Sequence, residues 1–185
     1  MPPGMDGLHF DPLAGCTAEV RERAARIRLA CFDVDGTLTD GRLFLDAAGN
    51  EAKAFHVRDG QGLALLRRAG VAVAFVTARP GAVAARRAAE LGAECHAEVK
   101  DKLAFVQSLS LARNLRMDEV AFMGDDLADV AAMRAAGFAA APADAHPLAA
   151  AQAHWRSRAR GGEGAAREFC DLLLAAQERL AGLLP

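Results

Sequence analysis

Asp33 and Asp35 stand one residue apart in LACFDVDGT, directly after a short apolar run. Two carboxyls so placed can divide a phosphoryl transfer between them. One attacks phosphorus, and the other protonates the departing oxygen and later activates water. Alone, such a pair is as often a turn former or a helix cap. Its company makes the chemical reading stronger: Thr77 ends another apolar run, Lys102 opens a helical stretch, and Asp125, Asp126 and Asp129 follow a third run. Thr77, Lys102 and the backbone N–H groups of the Asp35-Gly36-Thr37 turn are donors suited to the outer oxygens of a phosphoryl group, where charge sits during transfer. Carboxylates converging on one crevice raise each other's pKa unless a cation lies among them. An oxygen-rich set without paired His or Cys favours Mg²⁺.

The elements that would position these groups alternate along the chain. LACFDV (29–34) reads as a strand buried on both faces. From Asp59 the helical stretches GQGLALLRRAG, PGAVAARRAAELG, DKLAFVQSLSLARNL and DDLADVAAMRAAG alternate with VAVAFVTA, a short strand at 94–97, EVAFMG and FAAAPA. That order predicts an α/β fold, a Rossmann-like parallel sheet with helices on both faces. In such sheets ligands bind beyond the carboxyl ends of the strands, where the polar residues above are found. RLFLD and EAKAFHV flank a small-residue turn and predict a β-hairpin at about 42–56. Thr17 caps a short amphipathic helix within 16–28, and a further small helix begins near Ala145. Gly70, Gly92 and Gly137 stand where left-handed helix ends are expected. The tail is expected to be a glycine-rich flap leading into an amphipathic helix at about 158–184. The chain thus divides into an extension with a short helix (1–25) and one α/β domain (26–185).

Composition excludes several roles. A net charge of −2 with both signs dispersed offers no track for a nucleic-acid backbone. No run approaches the roughly 20 apolar residues of a membrane span, and the N-terminal segment lacks a basic region before an apolar one, so a cytoplasmic protein is expected. Cys16, Cys31, Cys95 and Cys170 form no CxxC pair and are expected to be free thiols.

DVDGTLTDG, Thr77 closing VAFVTAR, Lys102 in KDK, and GDDLAD resemble the four motifs of the haloacid dehalogenase superfamily of phosphohydrolases. The resemblance implies that Asp33 is the nucleophile and a magnesium ligand. It makes Asp35 the acid/base, with its backbone carbonyl on the metal, and Asp125 the second metal carboxylate. Thr77 and Lys102 would bind phosphate, and Asp126 and Asp129 would act on the metal indirectly. A response-regulator receiver uses similar groups, but it lacks the DxDGT turn and carries its acidic cluster first. No insertion of about 50 residues separates the motifs, so no cap domain is expected, and a neighbouring subunit would supply cover.

KAFHVRDGQG, the region of Arg79 and Arg86, and RGGEGAAREFCDLLL further resemble the 3-deoxy-D-manno-octulosonate 8-phosphate phosphatases, from about residue 26 to 182. That resemblance implies hydrolysis of this sugar acid phosphate in lipopolysaccharide biosynthesis. It also implies a homotetramer built around the hairpins, with the glycine-rich tail reaching a neighbour's site. Arg79 and Arg86 are the expected substrate-binding residues, since guanidinium forks suit a sugar acid's carboxylate, and Arg58 and Arg167 are also available. Thr37 stands where Val is expected in many members. A phosphatase for a related nine-carbon 9-phosphate and a non-catalytic oligomerisation module are the alternatives.

Overall fold

The short apolar runs form the strands of one sheet because each is too brief and too uniformly apolar to leave a face in water. In the computed structural model, which describes residues 10–183, the strands are β1 (Leu29–Phe32), β2 (Phe44–Leu45), β3 (Glu51–Ala52), β4 (Ala72–Val76), β5 (Glu94–His96), β6 (Val120–Met123), β7 (Phe138–Ala141) and β8 (Trp155–Arg156). Six of them pair in the order β5-β4-β1-β6-β7-β8, all parallel, and β2 and β3 form a separate antiparallel hairpin. Every residue of β1, β6 and β7 is buried. Alternate side chains serve opposite faces: Ala30 and Phe32 enter one core, Leu29 and Cys31 the other.

The helices α1 (Ala18–Ala25), α2 (Val57–Arg68), α3 (Ala82–Leu91) and α7 (Ala165–Ala176) cover the first face. The second is covered by α4 (Lys102–Ala112), α5 (Val130–Ala135) and α6 (Pro147–Ala150). This is the Rossmann-like arrangement expected from the alternation of runs. Only the hairpin and α2 lie between β1 and β4, so no cap domain is inserted there. No helix among the described residues is long and apolar enough to cross a membrane. The four cysteines are free.

Several details depart from expectation. Gly70 and Gly92 are left-handed, at φ +86° and +63°, but Gly137 is not. Its missing side chain instead admits the Asp118 backbone, whose carbonyl oxygen would lie 2.4 Å from a Cβ. The hairpin is shorter than 42–56, pairing only Phe44 with Ala52 and Leu45 with Glu51. Its turn closes on Asp46, whose carboxylate accepts N–H bonds from Ala48 and Asn50 at 2.9 and 2.8 Å. Helix α7, the amphipathic helix expected in the tail, belongs to the core. Ala165, Ala166, Phe169, Cys170, Leu172, Leu173 and Leu174 are buried, and the Phe169 ring packs within 6 Å of Phe32, Phe138 and Trp155. Residues 1–9 of the expected N-terminal extension lie outside the described residues.

Candidate active site

The strand order places a crevice between β1 and β6. From β1 the chain winds outward through β4 to β5, then returns to lay β6 on the other side of β1, and a ligand fits where the winding reverses. Asp33 follows β1, Thr77 follows β4, Asp125 lies just beyond β6, and Lys102 is the first residue of α4. Asp33, Thr77, Lys102 and Asp129 are all buried. The Lys102 ammonium donates to Asp33 and, at 2.5 Å, to Asp129 Oδ1. The other Asp129 oxygen accepts the backbone N–H groups of Asp125 and Asp126 at 3.0 and 3.1 Å. Thr37 donates its hydroxyl to Asp125 Oδ1 at 3.0 Å, a bond that Val could not make at that position. Gly36 turns the chain at φ +102°, and a Cβ there would lie 2.1 Å from Asp125 Oδ2.

Burial raises the Asp33 pKa well above its usual range, and the Asp129 charge adds to this against the opposing pull of Lys102. Burial, then Asp129, raises Asp125 to about 6, with the Thr37 hydrogen bond opposing. For Lys102, burial disfavours the charged form, but Asp33 and Asp129 outweigh it and the pKa rises. One oxygen from each of Asp33, Asp125 and Asp129 lies within 4.8 Å of the others. Crowded buried carboxylates that resist full ionisation are the donor set that a hard divalent cation relieves. Both Asp129 oxygens are already engaged, which leaves Asp33 and Asp125 with the freer lone pairs.

A second group surrounds Asp35, whose side chain is 18% exposed. Its carboxylate contacts the Lys53 ammonium and accepts from the Thr77 hydroxyl at 3.4 Å, while Arg79 Nε lies 4.0 Å away. Lys53 also reaches Glu51 Oε1 at 3.0 Å, and Arg79 Nη2 reaches the same oxygen at 3.1 Å. The Lys53 hydrogen bond is the largest influence holding Glu51 below the usual carboxylate range. Sequence reasoning missed Glu51 and Lys53 because nothing in an exposed hairpin marks two of its charges as folding back. Their i, i+2 spacing, which puts both on one face of the strand, was the one available signal.

The remaining expected residues lie elsewhere. Arg86 projects from α3 into solvent, its side chain 82% exposed, and pairs with Glu90 at 3.3 Å. Asp126 is exposed and caps the short 3₁₀ turn Leu127–Asp129. Arg58 is exposed at the start of α2, where His56 is the cap, and Arg167 pairs with Asp171 at 2.8 Å. The glycines of the expected flap form a tight turn on the chain's own active-site loop. Gly162 donates its N–H to Thr37 O at 3.0 Å, and a Cβ on Gly161 would lie 1.7 Å from Gly36 O.

No family model matches the chain. It is 42% identical over 176 residues to the 3-deoxy-D-manno-octulosonate 8-phosphate phosphatase of Yersinia pestis, covering 94% of each chain. A crystal structure of a hypothetical protein from Xanthomonas campestris is 52% identical and superposes with a TM-score of 0.93, covering 95% of this chain and 97% of the other. The 3-deoxy-D-manno-octulosonate 8-phosphate phosphatase of Moraxella catarrhalis, solved with magnesium, phosphate and the sugar acid, is 36% identical with a TM-score of 0.87, covering 89% and 95%.

Proposed function

The chain belongs to the 3-deoxy-D-manno-octulosonate 8-phosphate phosphatases of the haloacid dehalogenase superfamily, and on that premise we propose that it hydrolyses this sugar acid phosphate through a phosphorylated Asp33. The observation that carries the reading is the buried cluster in which the Lys102 ammonium joins Asp33 and Asp129 beside Asp125.

In this reading the Asp33 carboxylate attacks phosphorus as the bond to the sugar oxygen breaks, and Asp35 delivers a proton to that oxygen. Asp35 then takes a proton from water, whose oxygen attacks the phosphoryl group on Asp33. Phosphate leaves and the Asp33 carboxylate is restored. Lys102, Thr77 and the N–H groups of the 35–37 turn hold the non-bridging oxygens throughout. Asp129 keeps Lys102 and the 125–126 backbone in place, and Asp126 supports the same turn as a cap. Asp33, Asp125 and the backbone carbonyl of Asp35 would hold Mg²⁺, which offsets negative charge on the phosphoryl oxygens when bound. This assignment is supported by the raised pKa values of the two carboxylates and by the engagement of both Asp129 oxygens.

Arg79, beside Asp35, is the nearer candidate for the sugar acid's carboxylate. Arg86, in solvent on a single chain, would act only from one subunit toward another. Leu43, Phe44 and Leu45 of the hairpin are about half exposed, which supports packing between subunits of a homotetramer. Free thiols support a cytoplasmic setting. Phosphate release from the eight-carbon 8-phosphate and the nine-carbon 9-phosphate, with Mg²⁺ and after chelation, tests the reading. Faster, Mg²⁺-dependent turnover of the eight-carbon compound is expected, and preference for the nine-carbon compound would reassign the substrate.

A further inference from the structure

A general acid must meet the leaving oxygen within hydrogen-bond reach, so whatever fixes the Asp35 side chain fixes the rate of proton delivery. The Thr77 hydroxyl is 3.4 Å away, a weak restraint, and Arg79 Nε lies at 4.0 Å, beyond hydrogen-bond reach. Lys53 is in direct contact. It follows β3 in a mostly exposed hairpin, yet its side chain is only 2% exposed. Burying an ammonium is costly unless it is paired, and here two carboxylates from different parts of the chain pair it: Asp35 on the active-site turn and Glu51 on the hairpin. Glu51 also holds Arg79 Nη2, so one hairpin face supplies a connected set of charges ending on the carboxyl that moves the proton.

We propose that Lys53 is a positioning residue for the reaction, one that holds the Asp35 carboxyl in the orientation from which it protonates the leaving oxygen and thereby ties the hairpin to proton transfer. The inference rests on the reading of Asp35 as the acid/base. An alternative is a staple: the same ion pair would merely anchor the hairpin, and its loss would affect every substrate alike.

The leaving group separates the two. A sugar alkoxide needs protonation as it departs, whereas p-nitrophenolate does not, and kcat/KM covers the steps up to leaving-group release. In the full-length protein with Mg²⁺, Lys53→Met is expected to lower kcat/KM for 3-deoxy-D-manno-octulosonate 8-phosphate by about 10²-fold, the scale of a misplaced catalytic group. For p-nitrophenyl phosphate the expected loss is within about threefold, since the general acid's contribution largely drops out. Methylammonium added to Lys53→Ala should restore part of the sugar-phosphate rate and leave the aryl rate where it was. Equal losses on the two substrates, or no loss on either, would overturn the proposal. If Lys53→Met fails to fold, Lys53→Gln is judged by the same ratio. Asp35→Asn run alongside keeps the two ideas apart. Full sugar-phosphate activity in that variant sinks the acid/base reading, whereas an inactive Asp35→Asn beside a fully active Lys53→Met sinks only the role given to Lys53.

Discussion

Around Asp33, Lys102 and Asp129 are buried and Asp125 is half-buried beyond the end of β6; at the hairpin and the start of α2, Leu43, Phe44, Leu45 and Val57 face outward, and on α3 Arg86 stands in solvent. The first region is preorganised by the same packing that makes the fold, so its geometry persists as long as the core does. The second is anchored to the first through Lys53 and Glu51 but leaves apolar surface that the described residues do not cover. In the proposed function, bond breaking is built into the core, while recognition of the leaving group falls to elements at its margin.

The sharpest break in this contrast is Asp33→Asn, which should abolish phosphate release, a loss on the order of 10⁴-fold or more for removal of an attacking group. Circular dichroism should show the fold retained, because the amide keeps the shape of the side chain and Lys102 keeps Asp129. Next is Lys102→Met. It leaves Asp33 and Asp129 buried without their shared cation, so urea unfolding should show a loss of about 3 kcal/mol together with the loss of turnover. Added Mg²⁺ should recover part of that stability if the carboxylates take it up.

Gly161→Ala probes the border between the regions. The new methyl group would press on Gly36 O and displace the 35–37 turn, so kcat should fall by roughly 10²-fold with a smaller change in melting temperature. Phe44→Ser should change the stability of one chain by less than about 0.5 kcal/mol, the usual range for a surface site. Analytical ultracentrifugation should nevertheless show weaker association, and turnover should fall with it.

The smallest effect lies far from the site. Burial, then the Arg23 charge, holds the His154 pKa below its ordinary value, and Nδ1 accepts the Ala139 N–H at 2.9 Å only while it is unprotonated. The folded pKa is therefore below the unfolded one, near about 6.5. Stability is full above that pH and declines as pH falls from it toward the folded value. His154→Gln should flatten this slope in denaturant titrations between pH 7 and 5.

What could be read in the sequence follows the same division. Asp33, Thr77, Lys102 and Asp125 were legible because each sits at the end of a buried strand or the start of a helix, where an abrupt change from apolar to polar marks a position in space. The parallel α/β sheet was legible from the alternation of runs. Lys53 was not, because its burial depends on the hairpin folding back over the 33–37 turn, a long-range contact that leaves no local period. Gly137 was misread because a glycine after a helix signals a special position without saying whether conformation or close approach requires it. The α7 pattern predicts the amphipathic helix that is found, but not the surface that its apolar face covers.

The central claim is that Asp33 is phosphorylated during turnover. The direct measurement is to quench the enzyme in acid while it hydrolyses the eight-carbon 8-phosphate, reduce the acyl phosphate with borohydride and map the product by mass spectrometry. Homoserine at position 33, absent without substrate, is the predicted result. Reduction at another carboxylate, or no reduction anywhere while turnover proceeds, would contradict it.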